Sequence, residues 1–281
     1  MRIRIQTSTS LLLKFFCSFL TLFTIQTNCW AQEGNWDVYL AQYEKGAGST
    51  TLDMSLIKTA PHQQFPFLVI TGVTYSECRN DGFPEKLEFD KLYDISDNVE
   101  QIIKSTTLSR MAGTFTYNCE RLDYIYVQDT LNLREKLTEL YASKFKSYKP
   151  YINIRLDQAW EAYTSFLYPN PIIQEYMSNE KVLNQLRLAG DALDKPRPID
   201  HWLYFNNNKE RALFIKYALE EKFKIVNKAT IEDSKLPYQL HISRTDSADS
   251  QSINNITIQL KNKALELNGN YDGWESVVLK D

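Results

Sequence analysis

Residues 183–205 read LNQLRLAGDALDKPRPIDHWLYF. A helix over 178–189 ends at Gly190, the residue type that most easily takes the left-handed conformation at a helix C-terminus. Pro196 and Pro198 then hold the chain extended, and 199–205 enters a strand. A helix end, a turn and a strand entry follow one another within this stretch, and that succession sets the reading of the residues on either side.

Downstream, Asn207 or Asn208 caps a helix that carries Ala212, Ile215 and Leu219 inward. Strands at 224–231 and 238–244 flank a loop containing Pro237. Ile253, Ile256, Leu260 and Leu267 recur at helical spacing up to Gly269, and 271–279 closes the set as a strand. Upstream, Pro169-Asn170-Pro171 punctuates the chain as a linker. Before it, strands at 36–42 and 50–57 flank the Gly46-Ala47-Gly48 turn, and 65–74 is a strongly apolar strand. Pro84 opens a helix over 84–104, with Leu92, Ile95, Val99 and Ile102 on its inner face. Strands at 111–117 and 122–127 surround Asn118-Cys119-Glu120. A second helix starts at Thr130 with Leu133, Leu137, Leu140, Tyr141 and Lys144 on one stripe, and Phe145 extends it. Pro150 stops it before a strand at 151–156.

Both halves therefore read β-α-β-β-α-β, the order of the ferredoxin-like sandwich. The expected class is α+β: two tandem ferredoxin-like sandwiches, the first with an extra N-terminal β-hairpin, the second with a leading helix. Expected boundaries are 1–31 for a leader, 32–168 for the first domain and 172–281 for the second.

The leader reading rests on Arg2 and Arg4, an apolar run over 15–25, and Cys29-Trp30-Ala31 before a cut at Gln32. Lys14 interrupts the run, which leaves it too short for a permanent span. Asn28 and Gln26 disfavour lipid attachment at Cys29. A periplasmic or secreted protein is expected, with no stable membrane span once the leader is gone. Arg2, Arg4 and Lys14 leave with the leader, so 32 basic residues become 29 against 35 acidic ones, and the formal charge moves from −3 to −6. Phosphate-backbone binding needs the opposite balance, so a nucleic-acid partner is not expected. A hydrophobic content of 43% supports folded cores.

Gly190-Asp191, Pro196-Arg197-Pro198-Ile199, His201, Tyr204-Phe205 and Tyr271-Asp272-Gly273-Trp274 together resemble the regulator of ribonuclease E activity B family. The first half resembles a bacterial domain of unknown function, on Trp36, Leu52-Asp53, Gly82 to Pro84, Gly113-Thr114, Asp157, Trp160 and Leu167-Tyr168-Pro169. The resemblance implies a small binding protein without catalysis of its own, since members of the regulator family inhibit ribonuclease E in the cytoplasm by binding it. An exported chain cannot reach that enzyme. The expected function is thus an exported, non-catalytic protein-binding or regulatory module whose partner differs from the family's.

The candidate partner-binding residues are Asp191, Arg197, His201 and Trp202. Arg197 either contacts an anionic partner, with Trp202 alongside, or pairs with Asp191 or Asp194; the residues leave both readings open. His201 is either a polar contact on a binding edge or, more commonly for a strand histidine, one satisfied by a neighbouring carbonyl. His62, His201 and His241 show no metal-ligand spacing, no nucleophile elbow or phosphate loop is present, and no catalytic residue, metal or cofactor is expected. Asp90, Asp94 and Asp97 share one helix face, which reads as its wet side. Tyr117, Tyr124 and Tyr126 could stack bases, but acidic neighbours favour packing against a helix or domain. The alternative function is an envelope enzyme with a site in the cleft between the domains, using Asp157 and Glu161 near Trp160. Finally, with the first and third core strands taken as parallel neighbours, Cys78 and Cys119 fall at opposite sheet edges, roughly 17–20 Å apart. That exceeds disulfide reach, so two unpaired thiols are expected.

Overall fold

The computed structural model describes residues 34–280; the leader reading of 1–31 lies outside the described residues. Six antiparallel strands form the first sheet: β1 (Trp36–Tyr43), β2 (Gly46–Asp53), β3 (Phe67–Thr74), β4 (Ser109–Tyr117), β5 (Glu120–Val127) and β6 (Lys149–Leu156), in the order β1-β2-β4-β5-β3-β6. β2 ends earlier than the apolar run suggested. Asp53 takes the Ser55 N–H at 2.9 Å and turns Met54–Lys58 into a short 3-10 helix.

Helices α1 (Glu88–Thr106) and α2 (Leu133–Lys144) cover one face of this sheet. Leu92, Ile95 and Val99 of α1 are fully buried against Val69, Val73, Ile125 and Val127, and Ile103 takes the last inner position, leaving the expected Ile102 half-buried. Burial of such a side chain contributes about 1.5–3 kcal/mol. Asp90, Asp94 and Asp97 are exposed on the opposite side of α1, and Asp94 meets Lys144 at 3.2 Å. The helix begins at Glu88, four residues after the expected start, because Pro84 pairs as an extended residue with Cys78.

The other face is covered by a segment the sequence pattern did not announce. Trp160, in the left-handed region at φ +57°, leads into a π-helical turn over Ala162–Leu167. Trp160 stacks on Tyr126 with ring centroids 3.9 Å apart, and Phe166 lies over Tyr124. Three polar tips in this layer bond backbone carbonyls, as buried aromatic residues commonly do. Trp160 Nε1 donates to the Phe65 carbonyl at 3.0 Å, Tyr163 to Asp53 at 2.7 Å and Tyr39 to Leu167 at 2.9 Å. The tyrosine platform is therefore closed to a stacked base, with Tyr124 and Tyr126 buried.

Helix α3 (Pro171–Leu188) starts at the prolines read as a linker. The Asn170 side chain accepts the Ile172 and Ile173 N–H groups, each at 3.0 Å, and Pro171 occupies the first turn. Pro-Asn-Pro is here a helix cap, since proline costs no hydrogen bond at that position. The second sheet contains β7 (Arg197–Phe205), β8 (Lys224–Thr230), β9 (Tyr238–Asp246) and β10 (Gly269–Ser276), antiparallel in the order β10-β7-β9-β8. Helices α4 (Asn208–Glu220) and α5 (Ser250–Glu266) pack on one face, around Leu203, Phe205, Leu240 and Ile242. The inward side of α4 is Phe214 and Ala218, with Ile215 half-buried. Ala212 and Leu219 point to water, because the larger apolar residue Phe214 takes the core position. The α5 stripe Ile253, Ile256 and Leu260 is buried as expected.

Cys78 and Cys119 form a disulfide with Cα atoms 5.6 Å apart, which corrects the expectation of two thiols. β3 and β5 are antiparallel neighbours, not parallel ones. Thr74 therefore lies opposite Glu120, and the Tyr75 N–H donates to the Cys119 carbonyl at 3.0 Å. An antiparallel pair brings the end of one strand beside the start of the other, so both cysteines share one edge. Intact-mass measurement should find the native protein two hydrogens lighter than the reduced form. Removing the bridge with Cys78→Ser and Cys119→Ser should lower stability by about 2–4 kcal/mol in denaturant titration.

Candidate functional site

Strand β7 alternates strictly, and the alternation divides the four candidate residues. Arg197, Ile199, His201, Leu203 and Phe205 point into the protein, whereas Asp200, Trp202 and Tyr204 are half-exposed on the opposite face. Asp191, in the turn between α3 and β7, is also interior.

Arg197 and Asp191 form an ion pair with both side chains only 1% exposed. The Asp191 carboxylate also accepts the Leu193 N–H at 2.8 Å and the Leu279 N–H at 2.7 Å. Arg197 Nε donates to the Lys195 carbonyl at 3.0 Å. The hydrogen bond from Arg197, helped by those two N–H groups, holds the Asp191 carboxyl down to about 2. This pair clasps the 191–197 turn and the C-terminal stretch at Leu279 around the start of β7. Of the two readings left open for Arg197, the structure thus realises the pairing with Asp191.

His201 is fully buried. Its Nδ1 shares a hydrogen bond with the Tyr271 hydroxyl at 2.9 Å, in place of the expected carbonyl, and its ring meets Phe223 edge-on. Burial pulls the imidazole down to about 3, so it is neutral near pH 7. Asp191, Arg197 and His201 are thus all interior.

Trp202 stands elsewhere. Directly opposite it on β9 is His241, whose ring stacks on the indole at 4.5 Å and 15°. His241 Nε2 is 2.9 Å from Asp200 Oδ1, and Gln239 Nε2 donates to the Tyr204 hydroxyl at 2.9 Å. Asn227 and Glu275 lie in register beside His241 and Asp200 on the flanking strands. The result is a half-exposed sheet face bearing an indole, an imidazole, a carboxylate and a phenol, on the side away from α4 and α5. Sequence reasoning found Trp202 but missed Asp200, Tyr204, Gln239 and His241. The available signal was the two-residue alternation of aromatic and polar side chains in both strands.

Of the residues proposed for an enzyme site, Asp157 is engaged in holding the fold. The Asp157 carboxylate accepts the Tyr126 hydroxyl at 2.7 Å and the Glu161 and Ala162 N–H groups at 2.9 and 3.1 Å, so it caps the π-helical turn. Glu161 is exposed. The groove between β1 and α3, about 500 Å³, includes neither. Val38, Tyr39, Leu40, Ile173, Tyr176 and Met177 give it apolar walls, and of its charges Asp37 and Lys181 pair with each other at 2.6 Å while Glu180 meets Arg187 at 3.2 Å. Among the described residues, no group of three or more His, Cys, Asp or Glu side chains could hold a metal ion, and no helix is long and apolar enough to cross a membrane.

Two outcomes follow from the buried groups. Arg197→Met should cost about 3–5 kcal/mol, because it strands a buried carboxylate; urea midpoints measure this. For His201 the folded pKa lies below the ordinary value, so the unfolded chain binds more protons between about pH 6.5 and 3. Stability should therefore fall as pH drops through that window, by at most about 1.4 kcal/mol per unit from this residue. His201→Gln should flatten the slope between pH 7 and 5, a range above the one in which Asp191 titrates.

Comparison with known proteins adds identity to this geometry. Residues 177–276 match the family described as Regulator of ribonuclease activity B. Residues 34–168 match a Family of unknown function, DUF695. No curated protein matches the chain at a significant level. A crystal structure described as that of an unknown protein from Galdieria sulphuraria overlaps 75% of this chain and 97% of its own, at 10% identity and a TM-score of 0.20. The half-exposed Trp202–His241 face thus lies within the region that matches the regulator family, and along the chain a match to DUF695 is followed by a match to Regulator of ribonuclease activity B.

Proposed function

We propose that this chain is an exported, non-catalytic regulator that binds a protein partner through the face built on Trp202, His241, Asp200 and Tyr204. The carrying observation is that the matched regulator region presents this face uncovered by its own helices. Indole and phenol groups are the side chains that most often anchor protein interfaces. Both halves are read as ferredoxin-like sandwiches, occupying 32–168 and 172–281. The family supports regulation by protein contact, in keeping with its description as a modulator of ribonuclease activity.

Export to the periplasm or beyond rests on the leader sequence, and the Cys78–Cys119 bridge supports it, since structural disulfides persist in oxidising compartments. In that compartment the partner is a protein other than ribonuclease E.

The test is fractionation of the native host, followed by affinity capture from the fraction that holds the protein. Wild type and the Trp202→Ala/His241→Ala variant should be run side by side. Trp202 and His241 are partly exposed, so the variant should stay folded by circular dichroism. A partner retained by wild type should be weakened at least 30-fold in the variant, the loss expected on removing an anchor worth about 2 kcal/mol or more. Equal capture by both forms would move the interface off this face. Recovery from the cytosol bound to ribonuclease E would reject export, and turnover of a substrate by the purified protein would reject a purely binding role.

A further inference from the structure

Among the described residues, four strands form the edges of the two sheets, and three of them carry devices that discourage strand addition. β6 has Lys149, Pro150 and Arg155. β8 has Lys224 and Lys228 and a register shift between Ile225 and Asn227. β10 has a register shift at Tyr271/Gly273, with Asp272 and Glu275 exposed. β1 differs. It pairs with β2 without a break from Trp36 to Tyr43 and contains no proline or lysine. Its exposed side chains include Trp36, Val38 and Leu40, at 47%, 55% and 65%.

The backbone of β1 is oriented for pairing. The Val38 N–H faces away from β2 and donates to the Asp37 carboxylate at 2.9 Å, a bond that pairing would exchange for one to the second copy. In an antiparallel ladder the outward-facing residues alternate, so Trp36, Val38, Leu40 and Gln42 direct their N–H and C=O groups away from the sheet. Asp37, held by Lys181, is the one charge along the strand.

We infer that the β1 edge is a self-association surface, on which β1 of a second copy pairs antiparallel and joins two six-stranded sheets into one. The register that uses all four outward residues sets Val38 opposite Leu40 of the second copy and Trp36 opposite its Gln42. Asp37 then falls opposite Ala41, and no like charges meet. This charge pattern selects a second copy: the edge suits an extended, nearly uncharged strand of alternating apolar residues, and β1 is such a strand. Two-fold symmetry satisfies both edges at once.

The exposed surface of Trp36, Val38, Leu40 and Tyr176 comes to roughly 400 Å² per copy, at about 150–250 Å² for a whole aromatic side chain. Two copies together offer on the order of 800 Å² of such surface, of which edge pairing covers only a part because the side chains stand off the sheet face, an extent below that of standard specific interfaces. The dimer is accordingly weak and concentration-dependent.

Sedimentation velocity of the chain beginning at Gln32, from about 1 to 200 μM, tests this. The expected result is reversible dimerisation within that range, weakened at least tenfold by Leu40→Lys, with the melting temperature unchanged because Leu40 is exposed. The double variant Val38→Cys/Leu40→Cys should form a covalent dimer under mild oxidation, since directly opposed hydrogen-bonded residues have Cα atoms about 5.5 Å apart. A chain monomeric to about 200 μM would assign the edge to another protein's strand and overturn the inference. So would a dimer that Leu40→Lys leaves intact and the cysteine pair fails to trap.

Discussion

The contact on which the arrangement turns is the one Asp157 makes beneath the first sheet. Its carboxylate binds the Tyr126 hydroxyl from the sheet and the N–H groups of Glu161 and Ala162 from the segment above. That three-way bond orients Trp160 flat on Tyr126 and lays the π-helical turn across a face that would otherwise be wet. A buried carboxylate is tolerable only when its lone pairs are met, and here two backbone donors and a phenol meet them.

The consequence is an asymmetry between halves that share their strand pairing. β6-β3-β5-β4 and β10-β7-β9-β8 follow the same order of chain segments. The first sheet is covered on both faces, by helices on one and by the aromatic segment on the other. The second is packed on one face by α4 and α5, and its other face remains half-exposed around Trp202 and His241.

Much of the architecture was legible in the sequence because apolar spacing reports local structure directly. Most of the α1 and α5 stripes and most strands fell where periodicity placed them, with Ile103 replacing Ile102 in the core and Leu267 lying just past the end of α5. Errors arose where direction or tertiary context decides. The cysteine pair was misread because a parallel relation was assigned to strands that run antiparallel, a choice no local pattern encodes. The segment after Asp157 was missed because its geometry depends on a left-handed Trp160 and on stacking against a strand 34 residues earlier. At the candidate site, Trp202 was visible beside a motif, but His241 is joined to it only by β7–β9 pairing. Arg197 looked available in an extended Pro-Arg-Pro stretch, yet strand alternation turned it inward onto Asp191.

Helix α3 begins in the interval between the two matched regions, runs on into the second and serves both cores. Ile173 and Met177 pack into the apolar layer under the first sheet. One turn or two later, Asn179 bonds Thr257 and Trp274, and Leu183 and Leu186 join the second core. A helix with obligations on two sides makes a poor hinge and a poor cutting point. Recombination that exchanged either half at residues 169–176 would inherit a helix fitted to a neighbour left behind, so the two halves are bound to diversify together.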